Sequence, residues 1–274
     1  NYYLSWGGWY PKATREQKRA YLLKNMTNVA MWTGTVVHNI LEYSIRNLRK
    51  NGKLLPRDAA IAVGVKAIDE GLIQSISKAW MEEPKKAINL EEHYYLHQDI
   101  DRDELVNKMK KSVNNFYDSE LPNILGGLKP EDWMSIEDFT SFSLKTGEDV
   151  SVKMDCGFRY NSELWLIDWK TGKPESTVLN QLCTYAMYAL KKGWTKTLSN
   201  IVIVPVYLYH LDQQPFELLR VNMDMLVKQA DIVRKGTVDL LEAHRNKENK
   251  DFFTCTDKEW MCKRCQFREI CDNG

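Results

Sequence analysis

At 274 residues, with 43% hydrophobic and 27% charged side chains, the chain has the makeup of a globular protein able to bury a substantial core. A formal net charge of +1 excludes a global basic field that would coat nucleic acid indiscriminately, and no apolar stretch is long enough to span a bilayer. There is no P-loop and no G-x-G-x-x-G phosphate cradle. No signal peptide is apparent, so a reducing cytoplasm is the expected location. The first residue is Asn1 rather than Met, which points to a processed or trimmed start.

Residues 1–11 are aromatic, with Tyr2, Tyr3, Trp6, Trp9 and Tyr10 around Gly7-Gly8. A packed edge of the fold explains them more simply than base stacking does. Helical patterning covers roughly 12–51 and breaks at Asn51-Gly52 and Pro56; it resumes over 57–80 and 101–121, where Pro122 ends it. Lys12, Arg15, Lys18, Arg19 and Lys24 fall early in the first of these segments, and Arg46, Arg49, Lys50 and Lys53 cluster where it closes. Such runs are solvated helix faces, unless they flank a site and track phosphates, in which case binding falls with salt.

Residues 136–170 read as strands separated by turns at Thr146-Gly147 and Asn161-Ser162. Val150, Val152 and Met154 alternate with Ser151, Lys153 and Asp155, and this period of two puts Asp155 on the face opposite the valines. Asp168 and Lys170 are two apart and share a face. Two carboxylates and a lysine can therefore meet at the end of a hairpin. Carboxylates are hard ligands for Mg²⁺ or Mn²⁺, and a lysine beside them can orient water and stabilise phosphate charge. That combination is suited to metal-assisted phosphodiester hydrolysis.

A D-x-K alone occurs on many solvated strands, so its context matters. Lys170-Thr171-Gly172-Lys173 leaves the strand through a glycine turn, and a helix begins at Ser176 or Thr177, either of which can act as N-cap. On that helix Gln181 and Tyr185 share one face, while Leu182, Ala186, Ala189 and Leu190 form an apolar stripe. A buried strand follows at Ile201-Val202-Ile203-Val204, then a further strand over 216–222, a long helix over 223–245 and a charged linker at 246–251.

The runs Met154-Asp155-Cys156-Gly157, Ile167-Asp168-Trp169-Lys170-Thr171-Gly172 and Gln181-Leu182-Cys183-Thr184-Tyr185 together resemble the PD-(D/E)XK nuclease superfamily in its RecB-like branch. The upstream helix Gly34-Thr35-Val36-Val37-His38 is similar to the family's G-x-x-x-H element, and Glu137 stands where the family places an acid entering its first core strand. The resemblance implies that His38, Asp155 and Asp168 are metal ligands, completed by the backbone carbonyl of Trp169. It implies that Lys170 is the catalytic lysine, and that Gln181 and Tyr185 position it or contact the DNA backbone. Asp138 competes with Glu137 for the role of upstream acid. Taken alone, His38 reads as a satisfied helix histidine, and Tyr185 as core beside Tyr188.

The implied fold is α/β (α+β), a restriction-endonuclease-like αβββαβ core with a helical N-terminal elaboration and a C-terminal cysteine cluster. As one nuclease domain over 1–274, it would divide into a helical part (1–130) carrying His38, a catalytic sheet (131–222), and a long helix with a cysteine-rich tail (223–274). The implied activity is that of a metal-dependent DNA exonuclease using Mg²⁺ or Mn²⁺ in repair, recombination or defence. Its substrate would be single-stranded or end-containing double-stranded DNA, and its partners a helicase or other repair or defence proteins, away from any membrane. The alternative is a catalytically silent docking subunit of a repair or CRISPR-adaptation complex; RNA or a small phosphoester is a further substrate class.

The tail carries Cys255, Cys262, Cys265 and Cys271, four of the six cysteines. In a reducing compartment such a cluster reads as metal ligands. A zinc ribbon normally offers two C-x2-C knuckles and this tail has one. The C-x2-C-x5-C ending resembles the iron–sulfur closure of RecB-like nucleases, which implies a [4Fe–4S] cluster with Zn²⁺ as the alternative. No cysteine precedes Cys156, so Cys255 would replace the family's upstream ligand. Cys156 and Cys183 read as small buried residues.

Overall fold

The structure, a computed structural model, describes residues 8–246 and 258–271. The first seven residues of the aromatic opening, most of the charged linker and Cys255 lie outside the described residues.

In chain order the helices α1 (Arg15–Lys24), α2 (Val29–Asn51), α3 (Arg57–Ile76), α4 (Glu91–Tyr94), α5 (Arg102–Asp118) and α6 (Leu121–Gly126) precede the sheet. Strands β1 (Trp133–Ser143), β2 (Asp149–Tyr160) and β3 (Glu163–Lys170) follow, then α7 (Thr177–Lys191), β4 (Ile201–Tyr207), β5 (Leu219–Arg220), α8 (Met223–Arg245) and α9 (Glu259–Lys263). These elements give the expected mixed α+β class of restriction-endonuclease-like folds. The chain forms two compact units, one of residues 1–32, 68–102 and 237–274, the other of 33–67 and 103–236.

The second unit contains the sheet, in the order β1-β2-β3-β4-β5. β1, β2 and β3 form an antiparallel meander, α7 is the crossover that brings β4 parallel to β3, and β5 pairs antiparallel with β4. A parallel pair cannot be closed by a tight turn, which is why a helix intervenes. Val150, Val152 and Met154 of β2, Leu164 and Leu166 of β3 and Ile201 and Ile203 of β4 pack on Leu182, Tyr185, Ala186 and Ala189 of α7. A fully buried Leu or Ile contributes about 1.5–3 kcal/mol, so Leu182→Ala would cost about 2–5 kcal/mol with its cavity. Phe116 of α5 meets Trp169 of β3 edge-on, with ring centroids 5.8 Å apart.

The alternation along β2 does not run through its whole length. Cys156 opposes Ile167 and Gly157 opposes Leu166, and a Cβ on Gly157 would approach Met154 Sδ to 2.8 Å. Met154 and Gly157 therefore look to the same side, so the period slips by one residue at Asp155-Cys156. Across the ladder, Glu137 lies between the pairs Ile136–Cys156 and Asp138–Met154 and has a positive φ of 53°. An L-residue in that region costs on the order of 1–3 kcal/mol and is held there by its surroundings.

Some element boundaries and one helix cap differ from the sequence reading. The helix expected over 12–51 breaks at 25–28, where Thr27 bridges to Leu90 and Asn28 Oδ1 accepts from Met31 N–H to start α2 afresh. That bridge joins residues far apart in sequence, so helical periodicity gives no sign of it. The strand expected over 216–222 shrinks to Leu219–Arg220, since only Ile203 and Val202 offer it a ladder. Ser176 occupies the N-cap position of α7 without a side-chain cap bond; its φ and ψ are already helical.

Candidate active site

The middle of β2, the end of β3, the positive-φ turn of β1 at Glu137 and the middle of α2 deliver the candidate residues to one place. His38 Nε2 lies 2.8 Å from the Trp169 carbonyl oxygen, while Nδ1 lies 3.3 Å from Glu137 Oε1 and 3.6 Å from Asp155 Oδ1. Asp155 Oδ2 accepts from the Trp169 N–H at 2.7 Å, which ties the β2 carboxylate to the β3 backbone. Gly34, one turn before His38, has a packing reason: a Cβ there would come within 3.1 Å of Thr171 Oγ1, next to Lys170.

Asp168, fully buried, has its Oδ2 2.7 Å from Lys170 Nζ, a charge-assisted contact. Lys170 also donates to Gln181 Oε1 at 3.0 Å. Gln181 Nε2 donates to the Tyr185 hydroxyl at 2.6 Å. The single hydroxyl proton of Tyr185 then has two acceptors, the Lys153 carbonyl at 2.8 Å and Asp168 Oδ1 at 3.3 Å. Tyr185 is thus both core and part of the polar chain.

The electrostatics follow from burial and crowding. Burial works against a charged His38, but hydrogen bonding to Asp155 and Glu137 outweighs it and raises the imidazole to about 10. Burial alone would raise Glu137, yet His38 and Lys153 hold it below the usual carboxylate range. Burial and the neighbouring Asp155 charge push Asp168 up to about 6, with Lys170 opposing them. Burial and the two aspartates drive the Tyr185 hydroxyl well above its ordinary value, so it stays neutral.

His38, Glu137 and Asp155 bring three potential ligand atoms within 4.8 Å of one another, a set that fits a divalent cation; among the described residues no other group of His, Cys, Asp and Glu does so. Asp168, whose Oδ2 pairs with Lys170, adjoins the set through the Asp155 charge. Glu137, and not Asp138, faces His38. Asp138 is half exposed and paired with Arg46 at 3.2 Å.

Two groups escaped the sequence reading. Lys153 Nζ sits 2.6 Å from Glu137 Oε2; its place two residues before Asp155, in the same phase of β2, was the available signal. Glu42 and Arg46 continue the His38 face of α2 at successive turns, 2.8 Å apart, with Arg46 also bonded to the Ile136 carbonyl.

In the other unit, Cys262, Cys265 and Cys271 are partly buried on short turns. Arg268 between them pairs with Glu91 at 2.8 Å and lies 3.7 Å over the Tyr95 ring. Tyr95 donates to the Gln266 carbonyl at 2.8 Å, and Glu269 accepts from Tyr94 at 2.7 Å and pairs with Arg19. The tail is therefore held by charge and aromatic contacts, with no buried apolar residue of its own in α9.

Among the described residues, no helix is long and apolar enough to cross a membrane. No curated protein matches the chain. The family model of the PD-(D/E)XK nuclease superfamily matches residues 13–272, taking in each described candidate residue from His38 to Cys271. On that match, and with an aspartate–lysine strand end beside a His–Glu–Asp cation set, the chain belongs to the PD-(D/E)XK nuclease superfamily.

Proposed function

We propose that the protein is a divalent-metal-dependent deoxyribonuclease of the RecB-like branch, working as an exonuclease in DNA repair, recombination or defence from the cytoplasm. The observation that carries this reading is Lys170 held between Asp168 and Gln181 at the end of β3, beside the His38–Glu137–Asp155 set. A decayed copy has no need of such a chain of contacts. His38, Glu137, Asp155, Asp168 and the Trp169 carbonyl would hold Mg²⁺ or Mn²⁺, and a bound cation supplies Lewis-acid charge and a more acidic water. An imidazole ligand favours Mn²⁺, since nitrogen is the softer donor.

Lys170 orients the attacking water and offsets charge on the phosphate as the water approaches phosphorus opposite the leaving oxygen. Gln181 and Tyr185 fix the lysine; the neutral Tyr185 hydroxyl can do so without adding charge. Lys153 balances Glu137. We further propose that Cys255, Cys262, Cys265 and Cys271 hold a [4Fe–4S] cluster, with Zn²⁺ as the alternative, and that 1–274 acts as one nuclease domain with helicase or other repair partners.

The test is cleavage of end-labelled single- and double-stranded DNA by anaerobically purified protein with Mn²⁺, Mg²⁺ or EDTA, with Lys170→Ala alongside. Metal-dependent cleavage is expected, lost by a factor of about 100 or more in the variant, with DNA affinity kept. Tight DNA binding without any cleavage would shift the reading to a docking subunit.

A further inference from the structure

In the first unit, short stretches around Ser75–Trp80, Asn89–Tyr94 and His97–Asp99 line a cavity of about 240 Å³. Asn89 forms part of its wall. It is 2% exposed, and neither its Nδ2 nor its Oδ1 has a hydrogen-bond partner. No other buried side chain among the described residues leaves two polar atoms so. Its backbone carbonyl is taken by the Thr27 N–H, and Ser75, a hydroxyl on the same wall, is engaged with His93 at 2.8 Å and the Leu90 N–H at 3.1 Å. A buried amide left this way has given up water without gaining a bond in return. What would satisfy it is a ligand with a donor and an acceptor side by side.

The remaining walls narrow the choice. Trp80 and Tyr94 stand edge to face with centroids 5.4 Å apart, an angled aromatic border. Lys78 and His97, both exposed on the rim, adopt positive φ values of 59° and 49°, a conformation side-chained residues keep where surroundings enforce it. Asp99 on the same rim offsets Lys78, so the rim offers little net attraction to phosphate.

We propose that this cavity binds a nucleobase, with Asn89 pairing to its donor–acceptor edge and the Trp80–Tyr94 border flanking the ring. Adenine is the first candidate, because an asparagine amide matches its N6 donor and N7 acceptor. The base can come from a free nucleotide or from a strand. Affinity resides in the base, so deoxyadenosine and its monophosphate bind within a few-fold of each other. The site uses none of the residues of the proposed nuclease centre.

The test uses the full chain in EDTA, so cleavage cannot interfere. Thermal shift and tryptophan fluorescence are recorded with deoxyadenosine, dAMP, dTMP and a short oligo-dA. An adenine-dependent rise in melting temperature is expected. Response to the mononucleotide identifies a free nucleotide as a sufficient source; response to oligo-dA alone identifies a strand. Asn89→Leu should melt higher than wild type without ligand and lose the ligand response, whereas Lys170→Ala should retain it. Should Asn89→Leu not fold, Asn89→Asp keeps the shape, removes the donor, and should lose the response equally. The proposal is overturned by no response to any probe at millimolar concentration, by an unchanged response in the Asn89 variants, or by loss of the response in Lys170→Ala.

Discussion

The sheet centre and the cysteine tail are both candidate metal sites, and they are built in opposite ways. Around His38 the ligand atoms are buried and already crowded together: Glu137, Asp155 and Asp168 are each under a tenth exposed, and three strands carry them. Cys262, Cys265 and Cys271 are only partly buried and ride on short turns stapled by Arg268, Tyr95 and Glu269. A site assembled by hydrophobic packing exists before its cation arrives. A site on turns draws order from the metal it binds, because metal binding and folding are then one equilibrium.

The largest effect that could break this contrast is chemical. Asp155→Asn should reduce cleavage by a factor of about 100 to 10,000 while unfolding stays cooperative, read by initial rates and a denaturant melt. A variant that fails to fold would mean the carboxylate is structural. Next comes the tail. Cys262→Ala or Cys265→Ala should lower the melting temperature by several degrees and lose metal content, before any change in turnover per folded molecule. Normal thermal stability would show that no metal orders the tail.

A smaller effect concerns protons. In EDTA, the raised His38 imidazole contributes stability that is fully present below pH 6.5 and is lost as pH climbs through about 10. Denaturant melts at pH 6, 8 and 10 should therefore show wild type losing its margin over His38→Gln; parallel curves would contradict the charged imidazole. Asp168, also raised, favours the folded state while protonated and loses that contribution as pH rises from 3.8 through about 6. Metal affinity should accordingly strengthen across the same window, as titration calorimetry with Mn²⁺ would show.

The mildest change sharpens the packing argument. In Gly34→Ala, the helix gains about 1 kcal/mol from alanine and loses about as much to crowding at Thr171. Stability should hardly move, while cleavage drops several-fold because Thr171 adjoins Lys170. An unchanged rate would remove Gly34 from the account of the site.

Much of this molecule is legible in the order of its residues. Alternation over Val150–Met154 marks β2, the two-residue step from Asp168 to Lys170 puts carboxylate and amine on one face, and the four-residue step from Gln181 to Tyr185 does the same on α7. Each is a local geometric consequence of a strand or helix period, so the sequence alone determines it. The cysteine spacing is equally visible, although Cys255 lies outside the described residues.

What tertiary structure decided depends on contacts between distant segments. Glu137 prevails over Asp138 because a positive φ turns it inward, while Arg46 of α2 holds Asp138 at the surface. Lys153 joins the site only because Glu137 is turned toward it. The break at 25–28 likewise follows from the meeting of chain segments more than sixty residues apart. Periodicity reports the face on which a side chain stands; which partner stands opposite is set by packing and ladder register, and these are properties of the folded chain.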